Sequence, residues 1–367
     1  MGIRANRTGD SATEKERSDD AETKGLHVSS TLDIDSIQTG TLAQERKQPP
    51  KKMPFLLRFR VTAFGMNLGI GSQTVLWQQL TTLPATRFLH IPSGIPLGIW
   101  CAGVVLLPIT SVTYLLKFLI WPQAVRLEFR PIRTNFLIAP WWAALLLCLG
   151  APGEITDRIY GPGKTIHWGV ALGFTIPLLA WEILLYSRWI YACEGRLGAT
   201  ATAATQIAYV GNFASALAFA GAGWRDPALF MFSFGILHWV VVFTTVYMRP
   251  SESQRLPPPL GPLYLLFISP PAMAATAWSK IQGPGHFDSL SKGFAFIALG
   301  LFVVLATRAH LVLRITFSLA WWAFVFPLST TAVAFFYYAD SVTNSSQKWV
   351  VTGIALFFWA LFRVLGF

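Results

Sequence analysis

Phe326 and Pro327 lie near the middle of an apolar run at residues 316–338, and the hydroxyl residues Ser329 and Thr330 follow them closely. The run is long enough to cross a bilayer as a helix. A proline inside a helix removes one backbone hydrogen bond and bends the axis, and a bilayer tolerates this where a hydrated cavity or neighbouring helices satisfy the freed carbonyl. A bulky ring at a bend, followed by hydroxyl groups, is typical of a hydrophobic constriction in a hydrated path. The competing interpretation is a core or lipid-facing phenylalanine beside an ordinary kink, and these residues alone favour it.

The composition of the chain predicts a membrane protein. Of 367 residues, 53% are hydrophobic and only 13% are charged, and this charged fraction is about half of that in soluble domains. We predict an all-α polytopic membrane protein and not a globular enzyme. The formal net charge is +11, but the basic residues lie in a polar N-terminal segment and in short loops that orient helices, so we expect no nucleic-acid partner. Cys101, Cys148 and Cys193 lack metal-ligand or disulfide spacing, and we expect no metal and no cofactor.

Residues 1–54 differ from the rest of the chain. They are polar, mixed in charge and rich in serine and threonine, and they end in a basic stretch at residues 46–52. This composition cannot bury a core and predicts a disordered cytoplasmic tail, whose basic end binds an anionic leaflet. Residues 55–367 form the predicted transmembrane domain. The first apolar run starts only near residue 61, so we expect no cleavable signal sequence.

Ten apolar runs follow the tail, and we predict one transmembrane helix for each. The runs lie at residues 60–81, 94–120, 135–151, 166–187, 203–223, 227–247, 262–280, 290–309, 316–338 and 347–367. Lysine and arginine are more frequent in the loops on the side of the tail, which predicts that both termini are cytoplasmic. Lys117, near the cytoplasmic end of the second run, is expected to extend its ammonium group to the membrane interface.

Helix-breaking residues lie beside polar residues in the odd-numbered runs. They are Gly69 with Ser72 in the first run, Pro140 in the third, Gly211 with Asn212 in the fifth, Ser269 with Pro270 and Pro271 in the seventh, and Pro327 with Thr330 in the ninth. Pro108 and Pro177 in even runs make this pattern a tendency only. Glycine also allows helices to pack closely, which is the alternative explanation. Five broken helices with polar neighbours favour a shared central cavity, whose donors we expect to come from Ser72, Asn212, Ser269 and Thr330.

Ionisable residues are rare at membrane depth in this sequence. Glu182 and His238 lie deepest in apolar surroundings. Such residues are functional candidates by default, although a hydrogen bond to a neighbouring helix explains either one. A proton-coupled carrier needs a carboxylate or histidine relay, and a cation pore favours acidic rings. Hydroxyl, amide and aromatic groups suit a weakly binding anion path instead. No catalytic constellation is visible, so an enzyme is the weakest hypothesis.

Five segments carry a family resemblance: Phe64–Trp77, Arg133–Trp141, Val210–Phe213, His286–Ser291 and Ala320–Pro327. In the same order and spacing, from about residue 55 to 340, they resemble the plant slow-type (S-type) anion channels. That family is related to bacterial tellurite-resistance transporters and fungal dicarboxylate carriers. The resemblance implies ten helices in five hairpins, odd-numbered helices around a central pore, trimeric assembly and passive flux of chloride or nitrate. It also implies that the phenylalanine before the ninth-helix proline, here Phe326, closes the pore.

The sequence departs from the family in three places. Where some members carry a second occluding aromatic residue, this chain has Leu146. The basic run after the fourth helix is thin and reads Glu194-Gly195-Arg196. Plant members are controlled by kinases that act on their tails, with cytoplasmic basic residues such as the counterpart of Arg126 taking part, so Arg126 and Arg196 are the candidate regulatory residues. The short tails here favour a constitutive or partner-dependent channel.

We therefore predict a slow-type anion channel of the plasma membrane that passes chloride, nitrate or both, with Phe326 as its gate. The expected partners are these anions, the lipid bilayer, further copies of the chain or homologues in a trimer, and a protein kinase. Two alternatives stay open. One is a carrier for malate or related dicarboxylates, and the other is a non-conducting subunit that modulates a homologous channel.

Overall fold

The computed structural model describes residues 54–128, 135–161, 164–191, 197–248, 258–310 and 321–364. The regular secondary structure in these ranges is helical, without a strand. The predicted tail at residues 1–54 lies outside the described residues apart from Pro54, and so does Arg196.

Ten α-helices of eleven or more residues lie in the described ranges, one for each apolar run. They are α1 (Phe64–Thr82), α2 (Gly94–Ile120), α3 (Ala139–Leu149), α4 (Trp168–Tyr191), α5 (Ile207–Gly221), α6 (Arg225–Tyr247), α7 (Ser269–Gln282), α8 (Ser289–Ala306), α9 (Trp322–Ser341) and α10 (Ser345–Val364). Short helices cover Phe55–Arg58, Pro122–Glu128, Gly153–Tyr160 and Leu197–Thr200. The all-α class predicted from composition is confirmed.

The even-numbered helices form an outer layer. Four of them, α2, α4, α6 and α8, are the described helices that are long and apolar enough to cross a membrane. Their apolar side chains are largely exposed, and α10 also exposes Trp349, Val350 and Phe357. Among the described residues of the odd-numbered helices, only Trp141 is a large exposed hydrophobic residue. An apolar surface of this kind is stable against lipid chains, because the hydrocarbon core of a bilayer contains no water.

The odd-numbered helices form a closed inner ring. In the described residues α1 packs against α3, α3 against α5, α5 against α7, α7 against α9, and α9 back against α1. Each of these helices also packs against the even-numbered helix that follows it, which gives five hairpins. The ring is tight because its interfaces contain small residues. A Cβ atom added to Gly71 would lie 3.1 Å from the Cβ atom of Leu146 on α3, as expected where glycine lets two backbones approach closely.

The odd-numbered helices begin irregularly. Short 3₁₀ segments precede four of them, at Val61–Ala63, Asn135–Leu137, Ala203–Gln206 and Pro258–Ile268. Pro140, Pro270 and Pro271 lie in the first turns of α3 and α7. The first turn tolerates proline because its N–H groups have no intrahelical acceptor. The sequence therefore located these breaks correctly, but they are junctions between 3₁₀ and α segments and not bends within a continuous α-helix.

Pro327 behaves differently from the other inner prolines. It lies inside α9, as predicted, five residues after the helix begins at Trp322. Pro108 in α2 and Pro177 in α4 also lie inside their helices. Helix-internal proline is thus not restricted to the inner ring, and the alternation of helix breakers between odd and even runs is a tendency only.

Candidate functional site

A cavity with a volume of about 70 Å³ lies inside the ring of odd-numbered helices. All five of these helices contribute to its wall. The lining residues are Ser72, Val75, Gln79, Leu146, Leu149, Thr165, Leu217, Met273, Thr276, Lys280, Thr330, Val333 and Tyr337. On α1, α7 and α9 they recur at spacings of three and four residues, which is the spacing of one helix face. The cavity extends from the middle of the ring toward the C-terminal ends of the odd-numbered helices.

An aromatic pair lies one helical turn from the inner end of this cavity. Phe326 precedes the lining residue Thr330 by four positions on α9, and Trp142 precedes the lining residue Leu146 by four positions on α3. The rings of Phe326 and Trp142 meet edge to face, with centroids 5.1 Å apart and planes at 78°. Phe326 is 2% exposed and Trp142 is fully buried. The two rings are thus packed against each other in the protein interior next to the cavity.

The aromatic pair joins two inner helices that are not neighbours in the ring. Helices α3 and α9 are not successive members of the ring, because each of them flanks α1. Trp142 also lies against α5, since a Cβ atom added to Gly211 would be 3.6 Å from the indole. A side chain that contacts α5 and α9 while belonging to α3 lies in the interior that the five helices enclose.

Three hydroxyl groups on the wall donate to their own helices. Ser72 Oγ donates to the carbonyl oxygen of Gly69 at 2.7 Å, and Thr330 Oγ1 donates to that of Pro327 at 3.0 Å. Thr276 Oγ1 donates to Ala272 O at 3.2 Å. Local bonds of this kind satisfy the hydroxyl hydrogen within the helix. The wall is therefore mainly apolar with a few polar groups, and it carries no acidic side chain among its described residues.

Ser72, Leu146 and Thr330 are the sequence-predicted site residues that the structure brings together on the cavity wall. Leu146 is the residue that replaces the second occluding aromatic residue expected from the family, and it lies one turn beyond Trp142. Sequence reasoning missed Trp142 itself. The resembling segment ends one residue earlier, at Trp141, and a tryptophan within an apolar run gives no signal of its direction.

Other predicted site residues lie at helix interfaces and not on the cavity wall. Gly69 faces α9, where an added Cβ atom would be 3.0 Å from the indole of Trp322. Gly211 faces α4 and Trp142. Close helix packing, the alternative reading of the glycines, therefore explains both positions.

Asn212 and Ser269 do not line the cavity either, in contrast to the expectation that they offer donors there. The Cβ atom of Asn212 points toward Gly235 of α6, 3.1 Å from where a Cβ atom on that glycine would lie. Ser269 Oγ is fully buried at the start of α7 and donates to Leu266 O at 2.9 Å. The rotation of α5 about its axis directs Asn212 to the outer layer, and the apolar run itself contains no information about that rotation.

Glu182 and His238 lie between α4, α5 and α6, outside the cavity wall. Glu182 is fully buried beside Asn212. His238 Nδ1 lies 2.9 Å from Phe234 O of its own helix, and its ring stacks on Tyr186 of α4 with centroids 3.5 Å apart. The contact of His238 with Tyr186 is a ring stack and not a hydrogen bond, and both carboxylate oxygens of Glu182 are buried without a hydrogen-bond partner among the described residues. The structure therefore does not show the hydrogen bond to a neighbouring helix that was considered for each residue.

The predicted regulatory residue Arg126 is exposed on the short helix Pro122–Glu128. Next to it, Lys117 and Glu128 form a buried ion pair, with 2.5 Å between Lys117 Nζ and Glu128 Oε1. Lys117 Nζ also donates to Phe59 O at 2.6 Å. The expectation that Lys117 extends to the interface is therefore wrong. The chain reverses after α2 and brings an acidic partner to the ammonium group.

Residues 58–366 match the family model described as voltage-dependent anion channel. The chain belongs to this family. The match covers the whole inner ring and the cavity, and it confirms the resemblance carried by the five sequence segments. Membership identifies a membrane protein and agrees with the apolar outer helices.

Three relatives within the voltage-dependent anion channel family are S-type anion channels of Arabidopsis thaliana. S-type anion channel SLAH2 is 38% identical over 81% of this chain and 56% of its own length, and SLAH3 is 38% identical over 81% and 46%. Guard cell S-type anion channel SLAC1 is 37% identical over 81% of this chain and 53% of its own length. The chain thus spans about half the length of these relatives.

Proposed function

We propose that this protein is a slow-type anion channel that passes chloride, nitrate or both passively across the plasma membrane. The observation that carries the proposal is the cavity to which all five inner helices contribute, with the Phe326–Trp142 pair one turn beyond it. Among its described residues the wall carries one lysine and no acidic side chain, which favours anions over cations, because a cation path needs acidic or carbonyl rings. Weak binding by hydroxyl and amide groups favours fast release, which suits a channel.

Phe326 is the proposed gate of this path. Its ring is buried against Trp142 in the ring interior, and Pro327 follows it directly inside α9. A helix bend at proline lets the segment before it move relative to the segment after it. Because the closing group is an apolar ring, displacement or removal of that ring would hydrate the constriction.

The proposed membrane topology has ten spans, with both termini in the cytoplasm. Three of the inner helices, α3, α5 and α7, are short. The α3 helix has 11 residues, about 16 Å at the rise of an α-helix. It needs its preceding 3₁₀ segment to approach the thickness of the hydrocarbon core. Irregular backbone is tolerated at membrane depth where protein surrounds it, and the outer helices provide that shield. We propose a trimer of such chains, or a heteromer with homologues, and control by a protein kinase through Arg126 and Arg196.

The direct test of the gate is Phe326→Ala in a voltage-clamp recording of oocytes, with chloride and nitrate supplied in turn. We expect larger anion currents than those of the wild type at equal surface expression. Phe335→Ala is the matched control, because Phe335 is a fully buried phenylalanine of the same helix that lies against Phe358 of α10. Unchanged currents in a well-expressed Phe326 variant would reject the gate.

The same recordings separate the proposed channel from its alternatives. Passive currents whose reversal potential follows the chloride or nitrate gradient support the channel. Saturable malate uptake coupled to a pH gradient would replace it with a dicarboxylate carrier. Absence of current in the wild type and in the Phe326 variant, together with altered currents of a co-expressed homologue, would replace it with a modulatory subunit.

A further inference from the structure

Lys280 is the one charged residue among the described residues that line the cavity. It lies in the last turn of α7, and Thr276, one turn earlier on the same helix, faces the same space. The only ion pair between described residues joins Lys117 to Glu128, so Lys280 has no carboxylate partner among them. A lysine near a helix C-terminus interacts favourably with the helix dipole wherever it points. That interaction does not require the side chain to face an enclosed cavity.

Two acidic residues near the C-terminal ends of α7 and α9 have other partners. Asp340, one turn after the lining residue Tyr337, accepts a hydrogen bond from the backbone N–H of Ala85 at 3.2 Å. Asp288, after α7, accepts from the indole of Trp278 and from the N–H of Ser291, both at 2.9 Å. These bonds hold both carboxylates at loop junctions, and the cavity keeps an uncompensated positive charge.

Uncommitted donors lie around the same space. The Thr165 hydroxyl is buried without a hydrogen-bond partner among the described residues and lies on the cavity wall. Gln79 brings a side-chain amide from α1, and Tyr337 brings a phenol from α9. A buried donor without an acceptor costs free energy, and so does a cation removed from water without a counterion. An anion in the cavity would accept from both kinds of group and recover that cost.

We infer that Lys280 is the charged centre of an anion-binding site in this cavity, completed by the donors of Thr165, Gln79 and Tyr337. The site takes small monovalent anions such as chloride and nitrate. It deepens the proposed function and rests on it, because the site would gather anions at the mouth of the path that Phe326 closes. One lysine with neutral donors attracts an anion without the multiple charges that would hold it tightly, which permits release.

The first test measures anion current as a function of anion concentration for the wild type, Lys280→Ala and Lys280→Arg. We expect Lys280→Ala to raise the half-saturating concentration of chloride and nitrate by about threefold to tenfold, since it removes a unit charge from a poorly hydrated site. Lys280→Arg keeps the charge and should stay near the wild type. Lys348→Ala removes a lysine near the start of α10 that does not line the cavity, and it should change nothing.

The second test uses purified protein and does not depend on conduction. Thermal unfolding is followed in detergent during titration with sodium chloride or sodium nitrate, with sodium gluconate as the control for ionic strength. A ligand that binds only the folded state raises the unfolding temperature with concentration. We expect this rise in the wild type, Lys280→Arg and Lys348→Ala, and its loss in Lys280→Ala. The unfolding temperature without chloride or nitrate shows whether each variant is folded.

The two tests together distinguish failure of the site from failure of the channel. If the wild type conducts anions and Lys280→Ala behaves like the Lys348→Ala control in both tests, the anion-binding site is overturned and the proposed channel function stands. A wild type without current, but with chloride-dependent stabilisation that requires Lys280, supports the site and rejects the channel. If chloride and nitrate raise the unfolding temperature no more than gluconate does, and if substitution of Lys280 leaves the current unchanged, the anion-binding site is overturned. Lys280 then interacts only with the C-terminal end of α7.

Discussion

The ring of Phe326 on α9 meets the indole of Trp142 on α3 edge to face, with 5.1 Å between centroids. The two helices are separated in the inner ring by α1, so this contact crosses the interior that the helices enclose. Edge-to-face pairs contribute about 0.5–1.5 kcal/mol beyond the burial of their surface. A closed state held by such a contact depends on both rings and not on the phenylalanine alone.

Replacement of Trp142 is therefore expected to open the path. Trp142→Ala should increase the anion current, as Phe326→Ala should, because the contact partner of the proposed gate Phe326 is removed. The double variant should carry a smaller current than the product of the two single increases predicts, because the free-energy effects of substitutions at two contacting residues are not additive. Voltage-clamp currents normalised to surface expression measure this.

Trp142→Phe is the matched control for this prediction, because it retains a ring at the contact. We expect currents close to those of the wild type. A Trp142→Ala variant that reaches the surface and conducts like the wild type would show that Phe326 closes the path without its partner. Full additivity in the double variant would show that the two rings act independently.

The ion pair of Lys117 and Glu128 is expected to stabilise the junction before α1. Lys117 Nζ binds both Glu128 and Phe59 O, and Glu128 Oε2 accepts from the N–H of Val61 at 3.2 Å. Removal of one partner leaves a buried charge unpaired, which costs about 3–5 kcal/mol. Lys117→Met and Glu128→Gln should each lower the unfolding temperature in detergent. The double variant Lys117→Met/Glu128→Leu should recover much of the loss, because no buried charge remains.

Arg126→Gln serves as the control for the ion pair, because Arg126 is an exposed residue of the same short helix. It should change the unfolding temperature little. If Lys117→Met unfolds at the temperature of the wild type, the ion pair makes no net contribution. If the double variant is no more stable than the single variants, the buried charge is not the cause of their loss.

The apolar runs predicted the helices well, because each run differs in composition from the polar segments beside it. Prolines and glycines also located the irregular junctions of the inner helices, since these residues are tolerated where the regular backbone pattern stops. The direction of individual side chains was not predictable. The sequence predicted both Ser72 and Asn212 as donors in the cavity, but Ser72 faces the cavity and Asn212 faces α6.

Contacts between distant segments were the other part that the sequence did not provide. Lys117 was expected at the membrane interface because its partner Glu128 becomes close only when the chain reverses after α2. Trp142 meets Phe326 only because α3 and α9 lie at matching heights in the ring. Lys280 lies at the end of the seventh apolar run, and its position on the cavity wall follows from the rotation of α7.

Gly150 tests the close approach of α3 and α1. A Cβ atom at this position would lie 2.6 Å from the backbone nitrogen of Val75 and 2.7 Å from the carbonyl carbon of Thr74. Backbone atoms cannot move aside cheaply, so Gly150→Ala should destabilise the fold by about 1–3 kcal/mol. The measurement is the unfolding temperature in detergent together with surface expression.

Gly173→Ala is the control for this glycine. Gly173 lies inside α4 with no atom within 4 Å of an added Cβ atom, and alanine is the better helix former by about 1 kcal/mol. This variant should be as stable as the wild type or more stable. If Gly150→Ala and Gly173→Ala unfold at the same temperature, α1 and α3 can move apart near Gly150 without a loss of stability.

Asp288 gives a prediction of pH dependence in the connection between α7 and α8. Burial acts to raise the pKa of Asp288, but the hydrogen bonds from Ser291, Trp278 and the backbone N–H of Leu290 lower it below its ordinary value. Because the folded state then binds the proton more weakly than the unfolded state, the carboxylate stabilises the fold above about pH 4, the ordinary pKa of aspartate. This contribution is lost as the pH falls from there through the lowered pKa.

Asp288→Asn should unfold at a lower temperature than the wild type at pH 6, since the asparagine carries no charge at the start of α8. The difference should shrink steadily when the pH is lowered toward 3, and a difference that is independent of pH across this range would contradict the role of the ionised carboxylate.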